Sequence, residues 1–224
     1  MVASVASVSS GNGTSNYNVT KPTGTADGDL LIGIVASDWN TLVNNNFTTG
    51  SWTALTTSDY DGGLNQMHVA ISRRIAASEP ADYTVGIGGG ADSVAAVLRI
   101  TGHDPTPVIG EVAPTVVSAG SGAINAPSIV PAGVDDLLIC IGAVDGANGG
   151  GSLNWPIVGL TEHVDRQSTT WTSLVVASLA SPSNPSGTKA LATSPGNHNK
   201  GAACTLTIKS AAAAGRPGAF LPFF

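Results

Sequence analysis

The strongest constraint on the fold of this 224-residue chain is an internal repeat. Asp29–Ile32 reads DLLI, and Asp136–Ile139 reads DLLI again, 107 positions later. Four other blocks recur in the same order at offsets of 105 to 108 positions. Self-similarity on this scale indicates a duplicated structural unit. We therefore predict one repeat over residues 1–102, a second over 107–210, and a C-terminal apolar arm over 211–224.

Each repeat has the pattern of an all-β protein. Short apolar or alternating runs are separated by clusters of Gly, Asn and Asp, which favour turns, and no helical period exceeds two turns. The strands predicted in the first repeat lie near residues 2–9, 16–20, 29–37, 51–56, 64–75, 83–88 and 93–101. This pattern predicts a jelly-roll-like antiparallel β-sandwich. The link at 103–107 contains two prolines, so we expect the repeats to pack closely, either as neighbours or by sharing sheets.

The repeated segment itself predicts a buried strand. The run LLIGIVA from Leu30 to Ala36 is apolar at both odd and even positions, as in a strand covered on both faces. Asp29 and Asp136 precede this run in the two repeats, and each follows a turn. We expect these carboxylates to accept hydrogen bonds from backbone amides of the turn, which is a structural role.

Composition argues against several classes of function. Charged residues make up 11% of the chain, against about 25% in an average soluble domain, and the net charge is −6. No cluster of basic residues exceeds Arg73–Arg74, so nucleic acid is not an expected partner. No apolar run approaches the ~20 residues of a membrane span, and the N-terminus lacks the pattern of a secretory signal. We therefore expect a protein made in a cytoplasm without membrane contact.

Several motifs of the first repeat resemble those of a known group of virion proteins. They are KPTGTADGDLL (Lys21–Leu31), GSWTAL (Gly50–Leu55), SEPADYTV (Ser78–Val85) and AAVLRITG (Ala95–Gly102). The series is similar to β-sandwich proteins of tailed bacteriophages found as capsid decoration proteins, head fibres and minor tail proteins. The second repeat departs from it, because SNPSGTKAL (Ser183–Leu191) lacks the Glu and the Tyr. The resemblance implies a fold and a virion setting, and it carries no active site across.

The function implied by this resemblance is that of a non-enzymatic virion protein, assembled in the cytoplasm of a host bacterium. We expect it to decorate or cement a capsid. Its expected partners are the major capsid protein or other virion proteins, bound as an oligomer or as many lattice-bound copies through mostly uncharged contacts. One alternative is a minor tail or receptor-binding module that recognises surface glycans. Another is a hydrolase whose site is built from aspartates.

The sequence contains no motif that specifies catalysis or metal binding. It has neither G-x-S-x-G nor H-E-x-x-H. DYDGG (Asp59–Gly63) lacks the later ligands of a calcium loop. GIGGGAD (Gly86–Asp92) precedes a predicted strand, whereas a phosphate loop needs a helix there. We therefore predict no catalytic residue, no metal site and no cofactor.

The histidines and cysteines also have structural interpretations. His68 alternates with apolar neighbours and is expected to face solvent. His163 shares a strand face with Asp165, which leaves open a metal or acid–base pair beside the simpler interpretation of a solvated strand end. Cys140 and Cys204 lie in apolar alternating runs, so we expect two buried thiols, with a disulfide as the alternative.

Two groups of residues remain as candidate contact sites. Trp39 and Tyr60 lie in loop-like stretches and could stack on a sugar, although aromatic packing within each loop is the simpler interpretation. The C-terminal arm gathers apolar residues near its end, namely Phe220, Leu221, Phe223 and Phe224. A solvated tail does not normally do this. The arm therefore either folds back over its own sandwich or docks on a neighbouring subunit as an assembly contact.

Overall fold

The computed structural model describes residues 2–38, 46–61, 66–88, 91–106, 109, 115–117, 124–146, 159–168, 171–191 and 198–212. Within these ranges the chain forms β-strands and no helix, so the predicted all-β class is confirmed. Likewise, no helix in them is long and apolar enough to cross a membrane. The first half contains β1 (Ser4–Gly13), β2 (Tyr17–Thr20), β3 (Leu30–Ser37), β4 (Asn46–Phe47), β5 (Thr53–Asp61), β6 (Gln66–Ile75), β7 (Asp82–Gly86) and β8 (Ser93–Thr101). The second half contains β9 (Thr115–Val117), β10 (Ile124–Ala126), β11 (Leu137–Gly146), β12 (Thr161–Gln167), β13 (Thr172–Ala180), β14 (Lys189–Leu191) and β15 (His198–Ile208).

These strands form two large and two small antiparallel sheets. The first large sheet has the order β1-β8-β3-β6-β5, and the second has the order β12-β13-β11-β15-β9. The small sheets are β2-β7-β4 in the first half and β10-β14 in the second. Each half therefore contributes one five-stranded sheet and one small sheet.

The two large sheets pack face to face around one hydrophobic core. Ile32 and Ile34 of β3 belong to the same buried cluster as Ile139 and Ile141 of β11. Strand β8 packs on β13, and β6 packs on β15. The outer face of each large sheet is covered by the small sheet of its own half. The result is four layers in the order small, large, large, small, with one core shared by both halves.

The two halves have the same strand topology. Read from the opposite edge, the second large sheet is β9-β15-β11-β13-β12, which matches β1-β8-β3-β6-β5 strand for strand. The contacts between the two large sheets show the same equivalence. Strand β8 packs on β13 as β15 packs on β6, and β3 packs on β13 as β11 packs on β6. A tandem duplication would produce this arrangement. The duplication itself stays a prediction from the sequence, as does the jelly-roll description.

Strand β3 is buried along its whole length, as its apolar run predicts. Leu30 and Ile32 face the shared core, whereas Leu31 and Val35 face the small sheet of the first half. Runs that are apolar on both faces are typical of parallel sheets. Here they occur in an antiparallel sheet, because a second sheet covers each face.

The turn before β3 has the structure predicted for it, and the second half repeats that structure. Asp29 Oδ2 accepts the backbone N–H of Ala26 at 2.9 Å, and Asp136 Oδ2 accepts that of Gly133 at 2.8 Å. Asp29 also forms an ion pair with Arg99, with 2.7 Å between Oδ2 and Nε. The structural role predicted for both aspartates is confirmed.

Two expectations about exposure and local structure are wrong. Tyr60 lies in strand β5 and pairs with Met67, rather than in a loop. The pairing of β5 with β6 continues to Asp61, and this backbone ladder outweighs the low strand preference of Asp. His68 is buried, because the outer face of β6 is also covered, and alternation therefore does not imply exposure.

The cysteines are buried thiols without a disulfide. They lie on adjacent strands, but Cys204 faces the core between the large sheets and Cys140 faces the small sheet of the second half. Burial raises the pKa of both thiols to about 12. They pack as small apolar side chains, as expected.

The two large sheets are stacked so that the ends of equivalent strands lie at the same end of the molecule. We define the lower end as the one at which β3 and β11 begin and β8 and β15 end. There, Asp104 N–H donates to Lys209 O, and Ala211 N–H donates to Gly102 O, both at 2.8 Å. The opposite, upper end contains the beginnings of β8 and β13, at Ser93 and Thr172.

Candidate functional site

Most residues predicted as contact sites lie outside the described part of the chain. These are Trp39, Phe220, Leu221, Phe223 and Phe224. Tyr60 lies in β5, at an edge of the first large sheet. A glycan contact by Trp39 and Tyr60, and an assembly contact by the arm, therefore remain predictions.

The most unusual polar group in the described residues is the carboxylate of Asp92, at the upper end. Asp92 directly precedes β8 of the first half and is 3% exposed. Its Oδ2 accepts the hydroxyl of Ser168 and the backbone N–H groups of Trp171 at 2.6 Å and Thr172 at 3.3 Å, all from the second half. Its backbone oxygen accepts the Thr172 hydroxyl at 2.9 Å. One residue of the first half thus holds the turn between β12 and β13.

Asp38 lies beside Asp92, because β3 and β8 are neighbours and Asp38 follows the last residue of β3. Asp38 Oδ1 accepts the Asp92 N–H at 2.7 Å, and Asp38 N–H donates to Asp92 O at 3.1 Å. Burial, and secondarily the charge of Asp92, raises the pKa of Asp38 to about 6. We call Asp38, Asp92, Ser168, Trp171 and Thr172 the upper-end junction.

A second polar link lies next to this junction. Arg166 of β12 donates to Asn12 Oδ1 of β1, from Nη2 at 2.7 Å and from Nε at 3.1 Å. On the first half, the Tyr17 hydroxyl lies 2.9 Å from Ser93 Oγ. Burial raises the pKa of Tyr17 far above its ordinary value, so the phenol is neutral there. The two halves are therefore joined by directional hydrogen bonds as well as by the apolar core.

The upper-end junction connects the two halves through hydrogen bonds to one buried carboxylate. Ser168 donates to a carboxylate oxygen that already accepts two backbone N–H groups, which aligns the β12–β13 turn with the start of β8. The other oxygen, Asp92 Oδ1, is buried and accepts no hydrogen bond from the described residues. The described residues contain no group of three or more His, Cys, Asp or Glu side chains suited to a metal ion.

The His163 region has a structural arrangement. His163 lies at a bulge in edge strand β12, and its Nε2 is 2.7 Å from Ser178 Oγ of β13. Burial lowers the pKa of His163 and raises that of Asp165. The neutral imidazole is thus favoured, and its hydrogen-bond partner is a serine of the neighbouring strand.

The motifs that carry the virion resemblance form a packing cluster. Trp52 stacks on Phe47 with ring centroids 4.9 Å apart and meets the edge of Tyr83 at 5.4 Å. Glu79 accepts the Tyr83 hydroxyl at 2.9 Å and pairs with Arg74 at 2.8 Å. This cluster fixes the small sheet β2-β7-β4 on the first large sheet. Its Glu and Tyr are the residues that the second repeat lacks.

Sequence reasoning missed the upper-end junction. Asp92 stands at the end of the glycine-rich GIGGGAD segment, and Asp38 follows an apolar strand. Each signal is a lone acidic residue at a strand boundary, which is also common in ordinary turns. The partners of Asp92 in the second half, Ser168 and Thr172, are 76 and 80 positions away, so only the packing of the two halves reveals the site.

Comparison of the chain with protein-family models, with curated proteins and with solved structures found no match.

Proposed function

We propose that this chain is a structural, non-enzymatic virion protein of a tailed bacteriophage, and that it decorates or cements the capsid. Its partners are the major capsid protein or other virion proteins, and it acts in many copies on the particle. The basis for the phage setting is the motif series in the first repeat.

The observation that carries the structural role is the doubled sandwich. Two five-stranded sheets share one core, and each is also covered on its outer face. The hydrogen bonds of Asp92 and Arg166 fix the position of one half relative to the other. A body of this kind changes shape little on binding, which suits a part that must hold a lattice geometry.

Two ion pairs within the chain engage charged side chains that would otherwise be available to a partner, which favours attachment through uncharged contacts. Arg99 pairs with Asp29, and Arg74 pairs with Glu79, so these charges are engaged inside the chain. Affinity that depends on few exposed charges changes little with ionic strength. Binding to empty capsids is therefore expected to be similar in ~0.05 M and ~0.5 M salt. A loss of more than about tenfold over that range would show that charge pairs dominate.

The decisive experiment locates and counts the protein in purified phage particles. Quantitative mass spectrometry is expected to give on the order of hundreds of copies per particle, and cryo-microscopy is expected to show density on the outer capsid. A handful of copies at the tail would instead support a minor tail or receptor-binding protein. Absence from the particle would overturn the proposal.

A further inference from the structure

The large apolar side chains that are exposed in the described residues all lie at the lower end. They are Val2, Ile75, Val130 and Val134, and their exposed fractions are 49%, 42%, 69% and 77%. Val2 precedes β1, and Ile75 ends β6 opposite Leu30. Val130 and Val134 belong to the segment between β10 and β11. We call these four residues the lower-end patch.

Two residues of the lower-end patch, Val2 and Val134, lie close to the point at which the described chain ends. Ser210 Oγ accepts the N–H of Ala3 at 2.8 Å and donates to Asp135 O. The neighbours of these two residues in the chain, Val2 and Val134, therefore flank Ser210. The last described residue is Ala212, two positions further on.

The residues that follow Ala212 have the composition of a ligand for such a patch. They read AAGRPGAFLPFF, with one charged residue, Arg216. Twelve residues can extend by about 40 Å at ~3.3–3.6 Å per residue. Four sheet layers spaced ~10 Å apart are about 30 Å across. The segment is therefore long enough to reach every residue of the patch.

We propose that residues 213–224 bind to the lower-end patch of their own molecule, with Phe220, Phe223 and Phe224 against Val130, Val134 and Val2. Tethering at Ala212 gives the segment a local concentration on the order of millimolar, which a separate molecule does not reach at ordinary protein concentrations. Burial of phenylalanine and valine side chains supplies the driving force. This inference does not depend on the virion role. Of the two roles left open by the sequence, it assigns the arm to its own sandwich.

Chymotrypsin cleavage after Phe220 and Phe223 tests this contact in the full-length chain. The variant is V130S/V134S, since both side chains are mostly exposed and their replacement leaves the core intact. The control is T57S, at an exposed site on β5. Cleavage of the arm, followed by mass spectrometry, is expected to be about tenfold faster in V130S/V134S than in the parent and unchanged in T57S. A tenfold weaker arm contact removes about 1.4 kcal/mol of stability, so V130S/V134S is expected to melt only a few degrees below the parent and T57S at the same temperature as the parent.

Three results would overturn the proposal. The first is cleavage of the parent as fast as that of a free peptide of residues 213–224. The second is an identical cleavage rate in the parent and V130S/V134S. The third is protection that grows with protein concentration together with a dimer mass in light scattering, which would assign the arm to a second copy. If V130S/V134S melts early, hydrogen exchange of residues 127–136 gives the same information: exchange is expected to be faster in a chain ending at Ala212.

Discussion

Oδ2 of the Asp92 carboxylate accepts three hydrogen bonds from the second half, while Oδ1 is buried and accepts none from the part of the chain that the structure describes. Replacing Asp92 with Ala removes the acceptor of the Ser168 hydroxyl and the shorter of the two acceptors of the Trp171 N–H, while the N–H groups of Trp171 and Thr172 keep Ser168 Oγ at 3.2 Å and 2.9 Å. Hydrogen bonds to charged groups contribute about 1.5–3 kcal/mol each, and an orphaned donor adds its own cost. We expect Asp92→Ala to lower the free energy of unfolding by about 3 kcal/mol or more, measured by denaturant titration.

The control for this substitution is Asp135→Asn, at an exposed position of the lower end. Surface changes of this kind are usually within about 0.5 kcal/mol. If Asp92→Ala were as mild as Asp135→Asn, the upper-end junction would not hold the halves together.

Asp38 gives the junction a dependence on pH. Its pKa is raised to about 6 by burial, against about 3.9 for an aspartate in an unfolded chain. The folded protein keeps a proton that the unfolded chain has lost, so Asp38 stabilises the fold below about pH 4, and that contribution is lost as pH rises through about 6. Asp38→Asn does not titrate and still offers an acceptor to the Asp92 N–H. We therefore expect the stability of the parent relative to Asp38→Asn to fall between pH 4 and pH 7.5.

Denaturant titrations of both proteins at several pH values measure this difference directly. Asp92 is the charged group in closest contact with Asp38, and it is unchanged in both proteins, so the comparison isolates position 38. A difference that stays constant across the range would contradict the raised pKa.

At the scale of strands, the two halves fill equivalent positions of β3 and β11 differently. An ideal Cβ on Gly33 would lie 2.7 Å from Phe47 and 2.9 Å from Trp52, because these rings occupy the outer face of β3. The equivalent position in the second repeat is Cys140, which packs in the outer cluster of that half. A methyl group at position 33 must therefore displace an aromatic ring or the small sheet. We expect Gly33→Ala to cost about 1–3 kcal/mol by overpacking.

The matched substitution in the second half is Cys140→Ala, which removes one sulfur from a position with room for a side chain. We expect it to cost about 1 kcal/mol. Thermal or denaturant unfolding of the two variants checks the contrast. A Gly33→Ala protein as stable as its parent would mean that the aromatic cluster leaves room for a methyl group at position 33.

At the scale of the whole molecule, the shared core predicts that the halves unfold together. Strands β3 and β11 bury their inner faces in the same cluster, so neither sheet keeps its packing if the other half opens. Native-state hydrogen exchange reports the opening free energy of each strand. We expect the slowest amides of β3 and β11 to report opening free energies within about 1 kcal/mol of each other. A much lower value for either strand would show two independent units.

Local patterns were enough to predict seven of the eight strands of the first half, but not the two-residue strand β4 or the extension of β5 to Asp61. The seven strands predicted in the first half all correspond to strands of the structure, and Asp29 and Asp136 have their predicted turn contacts. These features depend on neighbours within a few residues, so the sequence displays them directly. The exposure of His68 was predicted wrongly because alternation shows which side chains share a face, but not whether another layer covers that face.

The sequence by itself determined that the chain is all-β and where most strands of the first half lie, and it predicts a repeat that the structure does not confirm. Only the tertiary structure decided that the two halves share a core, that Asp92 meets the second half at the upper end, and that exposed valines lie near the end of the described chain. The physical reason is range. Turn hydrogen bonds and strand alternation act over a few residues, whereas the pairing of sheet faces and the burial of a carboxylate depend on residues about 80 to 200 positions apart, whose contact is set by packing.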